Sequence, residues 1–395
     1  MRVEPLIKRW RDPKAWTDAA YDPNVRAVAF QVLLVVALVF LVVEIVLNTA
    51  ANLEKQNVAS GFDFLARTAG FDVSQSLIPY SSKSSYLQAF FVGLTNTLLV
   101  AALGIVLATV IGFTLGIARL SPNWLASRLA LAYVEVIRNV PLLLQLFVWY
   151  VAVLRALPAP AEARPLIGSA YFDTRGLHLP RVSFEHGGGL LFAAIAISLI
   201  AAAWLWRHGK SFEARWPGLS SAAWALVLML PVLVATLGVD MHITYPELGR
   251  FNFDGGVSIE PEFMALLLGL STYTAAFIAE IVRAGLLGVP KGQREAAAAL
   301  GLSRRQALRL VILPQAMRII IPPLTNQYLN LTKNSSLAVA IGYPDLVSVF
   351  AGTVLNQTGQ AVEVIVITMA VYLLISLATS LLMNWFNARA AWAER

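Results

Sequence analysis

The segment from Phe90 to Ala118 contains no charged side chain. An α-helix rises about 1.5 Å per residue and a bilayer's hydrocarbon core is about 30 Å thick, so an apolar run of about 20 residues crosses it. Lipid offers no hydrogen-bond partners, and a run this long satisfies its own backbone only as a helix. This run exceeds the minimum, so the helix tilts or begins in the interface. Asn96, Gly104, Gly112 and Gly116 predict one face packed closely against neighbouring helices.

Further apolar runs cover Val28–Leu47, Gly187–Trp206, Pro217–Val239, Phe263–Ala279 (continuing to about Leu287 past Glu280 and Arg283) and Val364–Trp385. Two more are composite. Ser127–Leu154 reads as a surface helix turning into a spanning one, with Pro141 opening the apolar part, where proline wastes no hydrogen bond. Leu310 to about Ala340 is broken by Pro314, Arg318, Pro322, Pro323 and Lys333. The chain is therefore expected to be an all-α polytopic membrane protein with about eight transmembrane helices. Its charge agrees: Asp, Glu, Lys and Arg make up 13%, against about 25% in soluble proteins.

With no Cys, disulfides, thiolate metal sites and cysteine nucleophiles are excluded. His178, His186, His208 and His242 lack ligand spacing and read as solvated loop residues, and no metal or catalytic residue is expected. The net charge of +7 is explained by Lys and Arg kept on one side of a membrane, without nucleic acid. With the N-terminus inside, the inner segments hold twenty Lys and Arg and the outer segments eight, which predicts cytoplasmic termini.

The expected organisation is a cytoplasmic leader (1–27), an anchor helix (28–47) too long for a cleavable signal, a periplasmic segment (48–87), a first core part (88–154), an inserted region (155–261), a second core part (262–387) and a tail (388–395). Residues 155–186, with Pro158, Pro160, Pro165 and Pro180, read as an irregular, lightly structured excursion, and 240–261 as a similar one.

The most informative polar stretch is Lys291 to Ser303. Gly292 and Gly301 bracket strong helix formers; Glu295, Ala298 and Leu302 fall on one side, and Ala296, Ala299 and Leu300 form a small apolar surface. A short helix lying flat beneath the membrane, tied at both ends to spanning helices, transmits rigid-body motion; an ordinary polar loop is the alternative. Glu280 and Arg283 stand three apart and so share a helix face, as do Glu135 and Arg138. Each pair serves either structural pairing or a gate. Polar residues within the seventh run line a cavity or join helices. Thr272, Asn326 and Asn330 are the substrate-path candidates, with Tyr273 and Thr274 behind them.

Glu295-Ala296-Ala297, Gly301, and Val311-Ile312-Leu313-Pro314 resemble the signature loop of inner-membrane permeases of bacterial ABC importers, with Val311 where Ile is usual. Gly93 to Leu98, Glu135 to Leu143, Ala279 to Gly285, Leu313 to Ala316, Ile321 to Pro323 and Lys333 to Leu337 resemble the polar amino-acid branch. Asn139-Val140 stands where that branch more often has Gly-Thr, and Asn334-Ser335 where it often has Asp-Thr. The extra length is similar to the enlarged permeases of general L-amino-acid transporters.

The resemblance implies a type I importer permease core in the bacterial inner membrane. It implies a coupling helix (291–303) seated on a cytoplasmic ATPase through Gly292, Glu295, Ala296, Ala297 and Gly301. Glu295 would accept a hydrogen bond from its own loop or pair with an ATPase cation, Ala296 and Ala297 would keep the contact close, and Gly301 would permit the turn out. The implied partners are ATPase subunits, a second permease completing the pathway, a periplasmic binding protein and an L-amino acid. The chain carries no Gly-x-x-x-x-Gly-Lys-Ser/Thr loop, so no cofactor is expected on it and ATP belongs to the partner ATPase. An ion-gradient-driven transporter is the alternative; a membrane enzyme would need a clustered carboxylate or histidine site.

Overall fold

The structure is a computed structural model describing residues 23–55, 60–186, 188–215, 219–238, 240–250 and 252–391. Most of the expected leader and the last residues of the expected tail lie outside these. Helix α1 (Pro23–Lys55) extends well beyond Val28–Leu47, and that apolar stretch is exposed throughout. Such a surface requires lipid or another chain.

The core forms around α2 (Tyr86–Arg119) and α7 (Pro261–Leu287), the most extensively packed helix pair. Ser85 starts α2 with a capping box: its hydroxyl accepts from the Gln88 amide (3.3 Å), and the Gln88 side chain accepts from the Ser85 amide (3.1 Å). The glycine face lets the two backbones approach. A Cβ at Gly112 would lie 2.6 Å from the Ile278 Cβ, and one at Gly116 2.7 Å from that of Val282. Gly112→Leu is therefore expected to destabilise the bundle by about 1–3 kcal/mol through overpacking, read as a lower unfolding midpoint in detergent.

Helices α3 (Trp124–Asn139) and α4 (Leu142–Ala156) meet at Pro141 with a bend of 109°. The Gln145 side chain donates to the carbonyls of Ile137 and Val140, 2.8 Å each, satisfying acceptors that the break leaves without helical partners. Leu146 then fills the space above Gly269 of α7.

Beyond α7 lie the short α8 (Lys291–Ala299) and α9 (Arg304–Ala307). A π-helical turn, Leu308–Ile312, joins α9 to α10 (Leu313–Asn334), with Pro314 in the first turn and Pro322 and Pro323 inside. The chain continues as a 3-10 segment (Ser335–Ile341), reverses at Gly342, runs through a π-helical segment (Val347–Val354) and α11 (Leu355–Thr358), and ends in α12 (Ala361–Ala391). Gly342 has φ +80°, a conformation costly for a residue with a Cβ.

The reversal is held by α2. Asn96 donates to the carbonyls of Pro344 (2.9 Å) and Gln75 (2.8 Å), and the Thr97 hydroxyl accepts from the Leu346 amide (3.0 Å). Non-helical backbone survives at membrane depth only where protein satisfies it in this way.

The inserted region is better ordered than its prolines suggested. Strands β1 (Pro165–Ile167), β2 (Ala170–Asp173) and β3 (Gly176–Leu179) continue into β8 (Val257–Ile259) as a four-stranded antiparallel sheet. Strand β4 (Arg181–His186) pairs with β5 (Asp240–Thr244), and β6 (Glu247–Leu248) with β7 (Phe253–Asp254). The expectation of irregular excursions is corrected: both halves of the insertion, far apart in sequence, zip together across β3 and β8. His178 is corrected too. It is 1% exposed, lies 3.2 Å from Asp173 and 2.8 Å from the Ser258 hydroxyl, and stacks beside Phe253.

Between the two halves run α5 (Gly188–Arg215) and α6 (Leu219–Gly238), packed on each other. Six helices among the described residues are long and apolar enough to cross a bilayer, and the bent α3–α4 pair makes a seventh. The apolar part of α6, Ala222–Thr236, is roughly 22 Å long at helical rise, within a described helix of 20 residues.

Candidate functional site

Helix α8 hangs from both of its neighbours. Arg294 donates to the Leu286 carbonyl at the end of α7 (2.7 Å), and Gln315 in the first turn of α10 donates to the Gln293 side chain (3.0 Å). The carbonyl at a helix end carries partial negative charge, which favours the guanidinium there. Gly301 (φ +73°) closes α8, with its amide on the Ala298 carbonyl and the Leu302 amide on that of Ala297. Ser303 and Gln306 then form a capping box that starts α9.

The faces of α8 differ from the expected division in one place. Ala297 is 2% exposed and packs into this chain, whereas Leu300 is 79% exposed. Gly292, Glu295, Ala296 and Leu300 are exposed, and the Ala297 side chain is not. Glu295 makes no hydrogen bond or ion pair among the described residues, so the expected bond to its own loop is absent and its carboxylate points outward.

Glu280 and Arg283 form the ion pair that their spacing predicts, with Arg283 Nε 3.1 Å and Nη2 2.5 Å from Glu280 Oε1. Sequence spacing did not reveal the third member. Arg119, the last residue of α2, donates to Glu280 Oε2 and joins α2 to α7 at the end nearest α8. Glu280→Gln would leave two guanidiniums facing each other around a neutral amide. Removing one partner of a buried pair costs about 3–5 kcal/mol, less where water reaches. The group is partly exposed, so about 1–3 kcal/mol is expected, measured as a drop in unfolding midpoint that Glu280→Asp partly avoids.

The second expected pair does not form. Glu135 and Arg138 are both exposed, and Arg138 lies over the Phe277 ring of α7, 5.2 Å from its centroid. A cation over an aromatic face gains quadrupole attraction while its stem covers apolar surface. This competes with the local pairing.

The structure separates the substrate-path candidates. Thr272 is half-buried; its hydroxyl donates to the Leu268 carbonyl (2.6 Å), and its own carbonyl accepts from Tyr133 (2.7 Å). Asn326 and Asn330 are exposed, one helical turn apart on α10, in a stripe with Pro322, Pro323 and Lys333. Among the described residues no hydrogen bond joins Thr272 to either Asn. A buried group that sequence reasoning missed is Asp345, fully enclosed at the reversal, which accepts from the Ser348 amide (2.8 Å) and lies 3.4 Å from the Tyr372 hydroxyl. The Asn96-Thr97 pair was the available signal for it.

Long apolar helices, non-helical backbone held inside them, and a short polar helix suspended at one end define a multi-pass α-helical membrane protein. Residues 104–392 match the family described as "Binding-protein-dependent transport system inner membrane component", and the chain belongs to that family. It is 52% identical over 390 residues to the general L-amino acid transport system permease protein AapQ of Rhizobium johnstonii, covering 96% of each chain. Identity to YhdX of Escherichia coli is 51% over 382 residues, covering 95% of this chain and 96% of the other. To the glutamate/glutamine/aspartate/asparagine transport system permease protein BztB of Rhodobacter capsulatus it is 39% over 416 residues, covering 95% and 96%.

Proposed function

We propose that this chain is the permease subunit of an ATP-driven importer of L-amino acids in the bacterial inner membrane. In this reading it supplies half of the translocation pathway and binds no nucleotide itself. The single observation carrying the mechanical part is the suspension of α8: Arg294 ties it to α7 and Gln315 ties it to α10, so a push on its exposed face moves two spanning helices together. Leu300 is the apolar anchor and Ala296 the close-approach position for a cytoplasmic ATPase, and Glu295 meets a cation on it. Gly301 ends the rod, and Gly292 lies inside its exposed first turn. The topology proposed has eight spans with both termini cytoplasmic.

The triad of Arg119, Glu280 and Arg283 sits where α2 and α7 meet that end, and fixes the two helices as one body during the stroke. Asn326 and Asn330 support a pathway shared with a second permease, because exposed amides inside a span are poorly tolerated by lipid. Thr272 remains a candidate lining group through the hydroxyl lone pairs its own helix does not use. In this reading Arg138, held over the Phe277 ring, joins α3 to α7, while Glu135 stays exposed beside it. A periplasmic binding protein delivers the substrate on the sheet side.

The test is uptake of L-amino acids into proteoliposomes. The assembly with ATPase, second permease and binding protein is expected to accumulate substrate only with ATP. Gradient-driven uptake by this chain without the ATPase would replace this reading with a secondary transporter.

A further inference from the structure

At the end of the bundle opposite α8, four parts of the chain converge on an open cavity of about 350 Å³. Small-molecule clefts run from about 300 Å³ upward. Ser74 comes from the segment before α2, Glu260 and Glu262 from the start of α7, and Gly342 from the reversal that Asn96 and Thr97 hold. The remaining wall, Thr174 and Arg175, is the β2–β3 turn of the inserted sheet.

The turn is fixed in place while its cation stays available. The Asp173 carboxylate accepts from the Arg175 amide (2.6 Å), and Gly176 packs so closely that an added Cβ would lie 2.1 Å from the Ile259 carbonyl oxygen. The Arg175 side chain is exposed and forms no ion pair among the described residues, although two carboxylates line the same cavity. Each carboxylate is already oriented through one oxygen: Glu260 accepts from the Ser74 hydroxyl (3.0 Å) and Glu262 from the Tyr150 hydroxyl (3.1 Å). Burial raises the Glu260 pKa above the usual carboxylate range, and repulsion from Glu262 adds to it. A bound ammonium relieves that repulsion.

We propose that the inserted sheet completes a vestibule for a zwitterionic amino acid, in which Arg175 takes the α-carboxylate and Glu260 and Glu262 take the α-ammonium. A planar guanidinium matches a carboxylate with two parallel hydrogen bonds. Substrate released at this mouth is held by both its backbone charges before it passes the reversal at Gly342, while the side chain stays in the open part of the cavity. Recognition of that kind suits a transporter of many amino acids. The vestibule rests on the amino-acid import reading, but fails separately from it.

The chain has no native cysteine, so Thr174→Cys gives this subunit one thiol. In the complete importer in proteoliposomes, modification by a small neutral methanethiosulfonate is followed on the resolved subunit band. L-Glutamine is expected to slow it, and neither its decarboxylated nor its deaminated analogue should do so. Adding Arg175→Ala should raise the protecting concentration at least about tenfold, the loss expected for charge-assisted hydrogen bonds. Ser74→Cys on the opposite wall, which also removes the hydroxyl orienting Glu260, should still be protected by L-glutamine at a higher concentration if Thr174→Cys disturbs the turn. A rate unchanged by L-glutamine at both thiols, or protection that survives Arg175→Ala, overturns the vestibule. So does protection by the loaded binding protein alone, which would make this wall a docking surface. ATP-driven uptake by the unmodified importer is measured on the same preparation: if it persists without protection, only the vestibule fails, and if it is absent, the import reading fails.

Discussion

Leu300→Asp is expected to abolish ATP-driven uptake while leaving the chain inserted and folded. Leu300 is 79% exposed at the tip of α8, where no other part of the described chain needs it. Truncating an apolar anchor in a protein interface costs about 2–4 kcal/mol, and a carboxylate in an apolar groove is at least as costly. At about 1.4 kcal/mol per decade, association with the ATPase weakens roughly 30-fold to 1,000-fold. The checks are ATPase recovered with the purified permease and the initial rate of uptake. An unchanged unfolding midpoint separates lost docking from misfolding. Ala297→Asp is the contrasting variant, since Ala297 packs inward and the substitution should lower the midpoint.

Gly301→Val is expected to cut transport at least about tenfold with much of the ATP hydrolysis retained. Gly301 sits at φ +73°, which a β-branched side chain enters only at a cost of roughly 1–2 kcal/mol or more. Nothing lies near the position of an added Cβ, so the cost is purely conformational. The chain relieves it by turning the end of α8, which moves Leu300 relative to the ties at Gln293 and Arg294. Docking survives in part, but the stroke no longer reaches α7 and α10 in register. Gly301→Asn should recover most of the transport, because Asn tolerates the left-handed region. The measured quantity is the ratio of uptake to phosphate released, and equal loss of both would place Gly301 outside the coupling step.

The sequence carried the long helices openly, because lipid imposes a length and a polarity that no packing can override. The glycine face of α2 was legible for a related reason: two helices that approach at Gly112 and Gly116 must give up side chains there. Positions that depend on a distant partner were not legible. Spacing allows Glu280 to meet Arg283, but it says nothing of Arg119, which comes from another helix. The same spacing suggested Glu135 with Arg138, and the Phe277 ring prevailed. The inserted sheet was missed because its strands are short, rich in proline at their borders, and close only when β8 returns beside β3. His178 and Asp173 are buried by that closure, so neither could be recognised before it. For α8 the sequence defined the rod and the Gly301 turn that ends it, but the helix begins at Lys291 behind Pro290, so Gly292 falls inside its first turn. The tethers and inward-facing Ala297 required the helices on either side.

The most direct measurement uses Leu300→Cys in the otherwise cysteine-free chain. In right-side-out vesicles an impermeant thiol reagent should leave it untouched, in inverted vesicles lacking the ATPase it should react, and a short crosslinker should join it to the ATPase in the intact assembly. Reaction from the outer face, or no crosslink in an assembly that still transports, would contradict the proposal that α8 is worked from the cytosol.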